Sequence, residues 1–355
     1  MLRVRAVTSP HWPSELEASW RALADQDPLA TPFQTWEWQS LWWRHFGKGK
    51  HPLILVVEDE SGLAGLMPLY LTRGTWRAVR PVGHGASDYL HPISRKGAER
   101  EVADALEKWL DSQTGHDLLD LHQVRDVRAL QPPGERFSQA QCLVLELPKT
   151  FDEYLATLSK SLRYDVKRLD KMVFKEGQAT VVETDASNVE WAMDAFFKLH
   201  KARWQRRGLP GAFVGRRIQA FHRDWAATAQ RMGWLWLSTL VLEGRPVGSI
   251  YAMRFGKACY FYQAGFDPAA KALSPGTLLV AHTIRRAIVE GLEEFDFLRG
   301  DEPYKRRWKP QREHANLRTL SARTPRGEIA LRWNLMGSRI EAKVRERLEG
   351  KGLRG

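Results

Sequence analysis

A short run of residues, Lys271-Ala-Leu-Ser274-Pro275-Gly276, has the composition of a helix start that binds phosphate. Ser274 is a residue type that caps helix N-termini, and Pro275 suits the first helical position because it lacks the N–H that would stay unpaired there. Gly276 has no Cβ and leaves room for a ligand to approach the backbone. The free N–H groups at a helix N-terminus bind phosphate well, so the run predicts a phosphate site. Many helices that bind nothing also open on Ser-Pro-Gly.

A second set of residues has the chemistry to move protons. The run Arg299-Gly-Asp301-Glu302-Pro-Tyr304-Lys305 contains two carboxylates and a phenol, and it follows a short apolar strand. Such groups can take a proton from a nucleophile and give one to a leaving group. Loops at the carboxyl ends of sheet strands commonly build sites, which favours a functional role. The alternative is a solvated loop that only closes the strand.

Other kinds of catalytic centre find no support in the sequence. No Gly-x-Ser-x-Gly elbow and no recognisable Cys/His arrangement supplies a covalent nucleophile. Cys142 and Cys259 are the only cysteines and lie in apolar stretches, which excludes a disulfide framework and a cysteine metal cluster. The histidines of the first hundred residues lack metal-ligand spacing, so we expect no metal.

Two regions of the chain repeat one order of elements, which indicates a duplication. Each region has predicted antiparallel strands joined by a tight turn, then a crossover helix and one more strand. In the first region the predicted elements are strands 53–60 and 63–71, helix 98–112 and strand 116–124. In the second they are strands 234–243, 246–255 and 257–266, helix 277–291 and strand 293–300. The expected fold class is α/β (α+β), with two tandem units that each have a mixed, mostly antiparallel sheet flanked by helices.

Further helices are expected around these elements. Residues 151–177 are predicted to form one long basic helix that ends at Gly177, and residues 188–208 form another. Basic residues mixed with apolar ones at helical spacing predict a C-terminal helix, which docks on the body or binds a membrane surface or a partner. The expected divisions of the chain are 1–148, 149–325 and 326–355.

The composition fits a packed protein of two domains. The chain has 355 residues, of which 43% are hydrophobic and 27% are charged. No apolar run reaches the roughly 18 residues that cross a bilayer, and the N-terminus lacks the apolar core of a signal peptide, so we expect a cytoplasmic protein. The formal charge of +12 favours anionic partners, a class that includes nucleic acid, phosphorylated cofactors and acidic membranes alike.

The stretches FDPAAKALSPGTLL and EFDFLRGDEPYKRRW resemble the core of the GNAT acyltransferases. In particular they are similar to the CelD-type branch, which is associated with cellulose and exopolysaccharide gene clusters. The resemblance covers roughly residues 150–320, and the upstream stretches PFQTWEWQSLWWRHFG and GASDYLHPI also look like that branch. It implies a coenzyme-A-dependent N-acyltransferase with acetyl-CoA as the donor. In such an enzyme an amine attacks the acyl thioester directly.

The resemblance also implies roles for individual residues. The thioester would lie between strands 257–266 and 293–300, with a backbone N–H near Gln263 to Gly265 at its carbonyl. Tyr304 matches the family's tyrosine acid, and Asp301, Glu302 or a water chain would act as the base. The residues expected to bind coenzyme A are Lys271, Ser274, Gly276, Thr277, Gln263, Gly265, Arg299 and Lys305. Ser274 departs from the family's loop, which has glycine at that position.

The acceptor is expected to be a small amine, an amino sugar or a nucleotide sugar. In the N-terminal copy the helix start has only Lys96-Gly97-Ala98, so we expect this copy to shape the acceptor side. The candidate acceptor-binding residues are Asp88, Tyr89, His200 and Trp204. For His200 and Trp204, which share a helical face, the alternative is a place in the core.

Two other functions stay open at this point. A Fem-type transferase also has tandem GNAT units but takes an aminoacyl group from a charged tRNA, which the basic region 151–177 would suit. Apart from tRNA, we expect no nucleic-acid partner. The third reading is a module that binds acyl-CoA without catalysis, because a fold alone does not establish activity.

Overall fold

The structure is a computed structural model that describes residues 2–9, 11–113, 115–128, 130–171, 173, 179–206 and 208–350. For residues 169 and 338–350 it describes the backbone alone. Gly177, the predicted end of the long basic helix, lies outside the described residues.

The strands follow one another along the chain with the bounds given next. They are β1 (Arg3–Val7), β2 (His51–Asp59), β3 (Gly62–Leu71), β4 (Ala78–Pro81), β5 (Ile93–Ser94), β6 (Leu118–Arg125), β7 (Glu135–Glu146), β8 (Ala179–Glu183), β9 (Leu235–Leu242), β10 (Arg245–Phe255), β11 (Ala258–Phe266), β12 (Glu294–Arg299) and β13 (Arg312–Ala322).

The helices have these bounds. They are α1 (Glu17–Gln26), α2 (Trp36–Phe46), α3 (Glu99–Ser112), α4 (Phe151–Thr157), α5 (Lys160–Asp170), α6 (Val189–Gln205), α7 (Arg216–Arg231), α8 (Pro275–Val289), α9 (Pro303–Arg306) and α10 (Pro325–Gly350). Among the described residues, no helix has both the length and the apolar character needed to span a bilayer.

The chain divides into two compact units, an N-terminal unit of residues 1–140 and 315–355 and a C-terminal unit of residues 141–314. In the N-terminal unit the sheet order is β1-β2-β3-β4-β6-β13, and β5 pairs with β3. The pairs are antiparallel except β4 with β6, which the crossover helix α3 connects as a parallel pair. Apolar side chains of α3 such as Val102, Leu106 and Leu110 pack on one face of this sheet.

The C-terminal unit repeats this pattern. Its sheet order is β7-β12-β11-β10-β9-β8, and β11 with β12 is the parallel pair, connected by the crossover helix α8. The antiparallel pairs are β8 with β9, β9 with β10, β10 with β11, and β12 with β7. Buried residues of α8 such as Leu279 and Ile284 form a core with one face of the sheet, while α6 and α7 cover the other.

The predicted fold class is confirmed, because each unit has a mixed, mostly antiparallel sheet, a crossover helix and flanking helices. The single long helix over 151–177 is wrong. Instead α4 ends at Thr157 and α5 begins at Lys160, where the Ser159 hydroxyl accepts a hydrogen bond from the Leu162 N–H at 3.3 Å. A serine that caps a new helix has non-helical backbone angles, so it ends the continuous helix that the periodicity predicts.

Both cysteines lie in the C-terminal unit, on the strands on either side of β12. Cys142 of β7 is paired with Arg299, and Cys259 of β11 is paired with Phe295. Both side chains are fully buried, and burial raises the pKa of the Cys259 thiol above its usual value.

Candidate functional site

The parallel strands β11 and β12 separate part-way along their length. Their pairing runs from Ala258 with Glu294 to Tyr260 with Asp296, and both strands then continue without further pairing to each other. Because a parallel pair that stops early leaves a wedge between its strands, the later half of β11 can meet a ligand where a strand would otherwise lie. The family resemblance implies a thioester at this place.

The end of β12 is bent away from a regular strand. Leu298 has a left-handed backbone with φ of 55°, and its N–H donates to Asp296 Oδ1 at 2.7 Å. The register of β12 against β7 shifts between Asp296 and Arg299, which is the signature of a bulge. A left-handed leucine is strained, and the buried Asp296 carboxylate helps to hold it.

A second bulge lies in β11. Tyr251 of β10 is paired with Gln263, but its neighbour Ala252 is paired with Phe261, so Tyr262 is the extra residue. A bulge places consecutive side chains on the same side of a sheet. Tyr262 accordingly packs beside Tyr251 and His222 on the side of α6 and α7, with ring centroids 5.5 and 5.4 Å away.

The helix α8 begins at Pro275, as the sequence predicted, but Ser274 does not cap it with its side chain. Ser274 has a left-handed backbone, with φ of 47° and ψ of 52°, because it also ends a preceding 3-10 turn over Pro268–Leu273 that contains the exposed Lys271. A Cβ added to Gly276 would have one heavy atom within 4 Å, Phe266 Cδ1 at 4.0 Å. The first turn of α8 therefore has outward N–H groups, including that of Thr277, and an open approach at Gly276.

Gly265 lies in the part of β11 that pairs with β10 but no longer with β12, and its lack of a side chain is required by packing. An added Cβ would stand 2.7 Å from Leu199 C and 2.9 Å from His200 Cα, both backbone atoms of α6. This close approach places the His200 side chain beside β11, where it hydrogen-bonds with Gln263. His200 is buried, and burial lowers its pKa to about 4, so the imidazole is neutral at pH 7.

The sheet face under α6 and α7 is polar as well as buried. Within the described residues, Thr239 Oγ1, Ser249 Oγ, Tyr251 Oη and His200 Nε2 are buried and have no hydrogen-bond partner. Leaving a buried polar group unsatisfied costs about 1–3 kcal/mol, so such groups usually face ordered water or a ligand. This face is next to the Tyr262 bulge and can hold polar groups of a second substrate.

In the loop after β12, charged side chains form ion pairs and hydrogen bonds with other groups of the same segment. Lys305 is 2% exposed, and its Nζ donates to the carbonyl oxygens of Arg299 at 2.8 Å and Gly300 at 3.1 Å. The same Nζ lies 2.9 Å from Glu302 Oε2. These contacts direct the Lys305 ammonium onto its own loop, and its role in binding phosphate stays a prediction.

Asp301 pairs with Arg306, whose Nε and Nη2 lie 2.5 and 2.8 Å from its two carboxylate oxygens. This guanidinium lowers the Asp301 pKa and makes the carboxylate a weaker base. Tyr304 lies in the short helix α9, half-buried against the core of the unit. The Arg299 side chain is exposed at the end of β12.

Sequence comparison identifies the part of the chain that contains this geometry. Residues 160–306 match the family model described as Acetyltransferase (GNAT) domain. This part of the chain, about two fifths of its length, is therefore similar to GNAT acetyltransferase domains. Among curated proteins, none matches the sequence.

Solved structures show the same fold over nearly the whole chain, which extends well beyond the GNAT match. FemX has a TM-score of 0.58 at 12% identity, covering 88% of this chain and 96% of its own. The C-terminal domain of a putative lysylphosphatidylglycerol synthetase from Agrobacterium fabrum has a TM-score of 0.55 at 12% identity, covering 91% and 94%. L-PGS from Bacillus licheniformis has a TM-score of 0.52 at 13% identity, covering 88% and 97%.

Among the remaining predicted residues, His200, Asp88 and Tyr89 are buried and Trp204 is half-buried. In the C-terminal unit, His200 and Trp204 lie on one face of α6 with ring centroids 5.9 Å apart. Asp88 and Tyr89, in the N-terminal unit, are 3% and 0% exposed. The Asp88 carbonyl accepts from Asn316 Nδ2 at 2.6 Å, so this segment is anchored within its own unit.

Sequence reasoning missed the polar face of the sheet in the C-terminal unit. Tyr251, Tyr262 and His222 alternate with apolar residues in ordinary strand and helix patterns, which predict a core. The available signal was the run Cys-Tyr-Phe-Tyr-Gln at 259–263, where two tyrosines and a glutamine crowd one short strand. Polar tips on large side chains need partners when buried, which marks such a strand as more than packing.

Proposed function

We propose that the chain is an acyl-CoA-dependent N-acyltransferase, with acetyl-CoA as its donor, that acylates an amine of a small molecule or sugar. The supporting observation is the separation of β11 from β12 beyond Tyr260 and Asp296, in a unit whose helix α8 has an open Gly276 in its first turn. The match of residues 160–306 to the GNAT family agrees with this assignment.

The residues present fit coenzyme A. The N–H groups of Gly276 and Thr277 would hold the pyrophosphate, with the exposed Lys271 ammonium in the preceding turn. A backbone N–H between Gln263 and Gly265 would polarise the acyl carbonyl. Coenzyme A, when bound, supplies the acyl group as an activated thioester. Ser274 contributes backbone geometry in this proposal, and Lys305 serves the loop.

The acceptor amine would reach the carbonyl from the polar face under α6 and α7. Its nitrogen forms the C–N bond as the C–S bond breaks, so one proton leaves the nitrogen and one goes to the departing thiolate. Tyr304 is the proposed donor of the second proton. Since Asp301 and Glu302 both lie in ion pairs, we assign the first proton to water on the polar face beside the neutral His200.

The acceptor class follows from the resemblance of the 295–305 run to the CelD-type branch, which favours an amino sugar or a polysaccharide precursor. Trp204, beside His200, is an aromatic surface of the kind that packs against sugar rings. Asp88 and Tyr89 remain proposed contributors to acceptor recognition through the N-terminal unit.

The test is calorimetric titration of the purified protein with acetyl-CoA and with coenzyme A. We expect saturable binding that Gly276→Val abolishes, because the branched side chain would fill the space where the pyrophosphate meets α8. The matched control is Gly337→Val, another helical glycine with no atom within 4 Å of an added Cβ. Equal affinity for acetyl-CoA in Gly276→Val and wild type would show that the donor site lies elsewhere.

A second candidate is a Fem-type transferase that uses aminoacyl-tRNA, and the observation in its favour is the shared fold with FemX over 88% of this chain. The same titration separates the two functions. Binding of charged tRNA without binding of acetyl-CoA would favour the Fem-type reaction. Saturable binding of acetyl-CoA without turnover on any amine would indicate a binding module.

A further inference from the structure

The N-terminal unit contains a buried cluster of charged and imidazole side chains that the proposed reaction does not use. We call it the arginine–histidine cluster, and its members are Arg80, His84, Asp120, His122 and Arg318. Asp120 is fully buried at its centre. Arg318 Nε and Nη2 donate to its two oxygens at 2.8 and 3.1 Å, Arg80 Nε donates at 3.0 Å, and His122 Nε2 lies 2.8 Å away.

The cluster begins where the parallel strands of this unit separate. The pairing of β4 with β6 ends at Val79 with Leu119, and the next residues are Arg80 and Asp120. This is the position at which β11 and β12 separate in the C-terminal unit, after Tyr260 and Asp296. Duplication therefore gives the N-terminal unit a wedge of the same kind, but charged side chains rather than phenylalanines line it.

Hydrogen bonds fix His122 in one neutral form. The Gln123 N–H donates to Gln139 Oε1 at 3.0 Å, so the other end of that amide, Nε2, is the donor to His122 Nδ1 at 3.2 Å. The imidazole hydrogen is therefore on Nε2, which faces Asp120. Burial lowers the His122 pKa, which agrees with a neutral ring.

The cluster has more positive than negative charge. Its charged groups are the two guanidiniums of Arg80 and Arg318 and the one carboxylate of Asp120. Both imidazoles are neutral, since burial also lowers the His84 pKa, to about 3. The charged and titratable groups that act on His84 are His122, Arg80, Asp120 and Arg318, and Asp120 is the one acid among them. An excess cation in a buried place is costly unless an anion approaches it.

One side of the cluster is accessible. The Arg80 side chain is 25% exposed, against 10% for Arg318 and 0% for Asp120. His84 is half-buried and lies between Gly83 and Gly85, whose φ angles of 92° and 87° form a tight turn that presents its ring. The rings of His84 and His122 pack edge to face with centroids 4.3 Å apart. Arg80 and His84 are thus the members that a ligand can reach.

We propose that the arginine–histidine cluster binds a compact anionic group, a phosphate or a carboxylate, on Arg80 and His84, with Arg318 and Asp120 holding the guanidinium of Arg80 in place. The anion offsets the excess positive charge and accepts from guanidinium and imidazole N–H groups. Charge-assisted hydrogen bonds of this kind are the strong ones in proteins. The site belongs to the N-terminal unit alone and does not depend on the proposed acyl transfer.

The test is calorimetric titration of the full chain with inorganic phosphate and, separately, with acetate at low ionic strength. We expect saturable binding of at least one of them, weakened by about 10-fold or more in Arg80→Gln. The matched control is Arg100→Gln, because Arg100 is 93% exposed on α3. The phosphate and acetate titrations distinguish a phosphorylated ligand from a carboxylic acid.

A second variant guards against misfolding, since Arg80 also contacts the buried Asp120. His84→Ala leaves every hydrogen bond to Asp120 in place. It should weaken the binding of the same anion, and its circular dichroism spectrum should be unchanged. Absence of saturable binding of both anions to the wild type would overturn the proposal. Binding that is equal in wild type, His84→Ala and any folded Arg80→Gln would overturn it as well.

Discussion

At the scale of single residues, Lys305 and Gly276 show how far position in the sequence predicts chemistry. Both lie close to the expected phosphates along the chain, but Lys305 turns its ammonium onto the carbonyls of its own loop. Gly276 is left with open space at the start of α8. The sequence indicates which residue types are present in a site, whereas hydrogen-bond geometry decides which of them are available to a ligand.

Tyr304 is the residue whose proposed role is most directly tested. Tyr304→Phe removes one hydroxyl and little volume, so acetyl-CoA affinity should persist while turnover falls roughly 10- to 10,000-fold, the range for losing a general acid. The measurement pairs calorimetry with single-turnover kinetics once an acceptor is found. Unchanged turnover, with chemistry rate-limiting, would make Tyr304 a packing residue and leave protonation to solvent.

At the scale of elements, the predicted strands and helices of both repeats are found with small shifts at their ends, but the bulges at Tyr262 and Leu298 are not predicted. Hydrophobic periodicity depends on what each side chain faces, so it locates an element well. A single inserted residue places two consecutive side chains on one side of the sheet, and such an interruption is too short to be recognised in a strand of nine residues. The wedge between β11 and β12 could therefore be expected from the family resemblance but not from the pattern.

Close packing of α6 on β11 gives a prediction about stability. Gly265→Ala would place a methyl group against the backbone of Leu199 and His200, so α6 must move and unfolding should become easier by about 1–3 kcal/mol. Urea-induced unfolding measures the change. Gly276→Ala is the control, because its added methyl meets only Phe266 at 4.0 Å, and it should change the stability by less than about 0.5 kcal/mol. Equal unfolding curves for the two variants would contradict this packing.

At the scale of the whole molecule, the repeated order of elements could be predicted, because the strands and the crossover helix of each unit are consecutive in the sequence and each has its own hydrophobic periodicity. The charged residues in the wedge between β4 and β6 could not be predicted. Arg80, Asp120 and Arg318 are distant in the chain and come together only through the pairing of β4, β6 and β13. Buried ion pairs of this kind leave no periodic signal, since each strand contributes one charged residue at an ordinary position.

Buried neutral histidines in both units make the stability depend on pH. Burial lowers the pKa of His84 to about 3 and the pKa values of His116 and His200 to about 4. Between pH 6.5 and these values the unfolded chain binds more protons than the folded one, so the free energy of unfolding falls as the pH falls. The loss is up to about 1.4 kcal/mol per pH unit for each such histidine.

The check is urea unfolding at pH 7 and pH 5 for the wild type, His200→Gln and the control His11→Gln, where His11 is exposed. The first variant should reduce the difference between the two pH values, and the control should not. A wild type that is equally stable at both would mean that these imidazoles are solvated in the folded protein.

The burial of both cysteines bears on how the proposed reaction can be followed. Acyl transfer from coenzyme A releases a free thiol, which chromogenic disulfide reagents detect. Only accessible thiolates attack such reagents, and Cys142 and Cys259 are fully buried, with the Cys259 pKa raised by burial. The thiols of the folded protein should therefore contribute little absorbance. A screen of candidate amines can then measure the release of free coenzyme A directly.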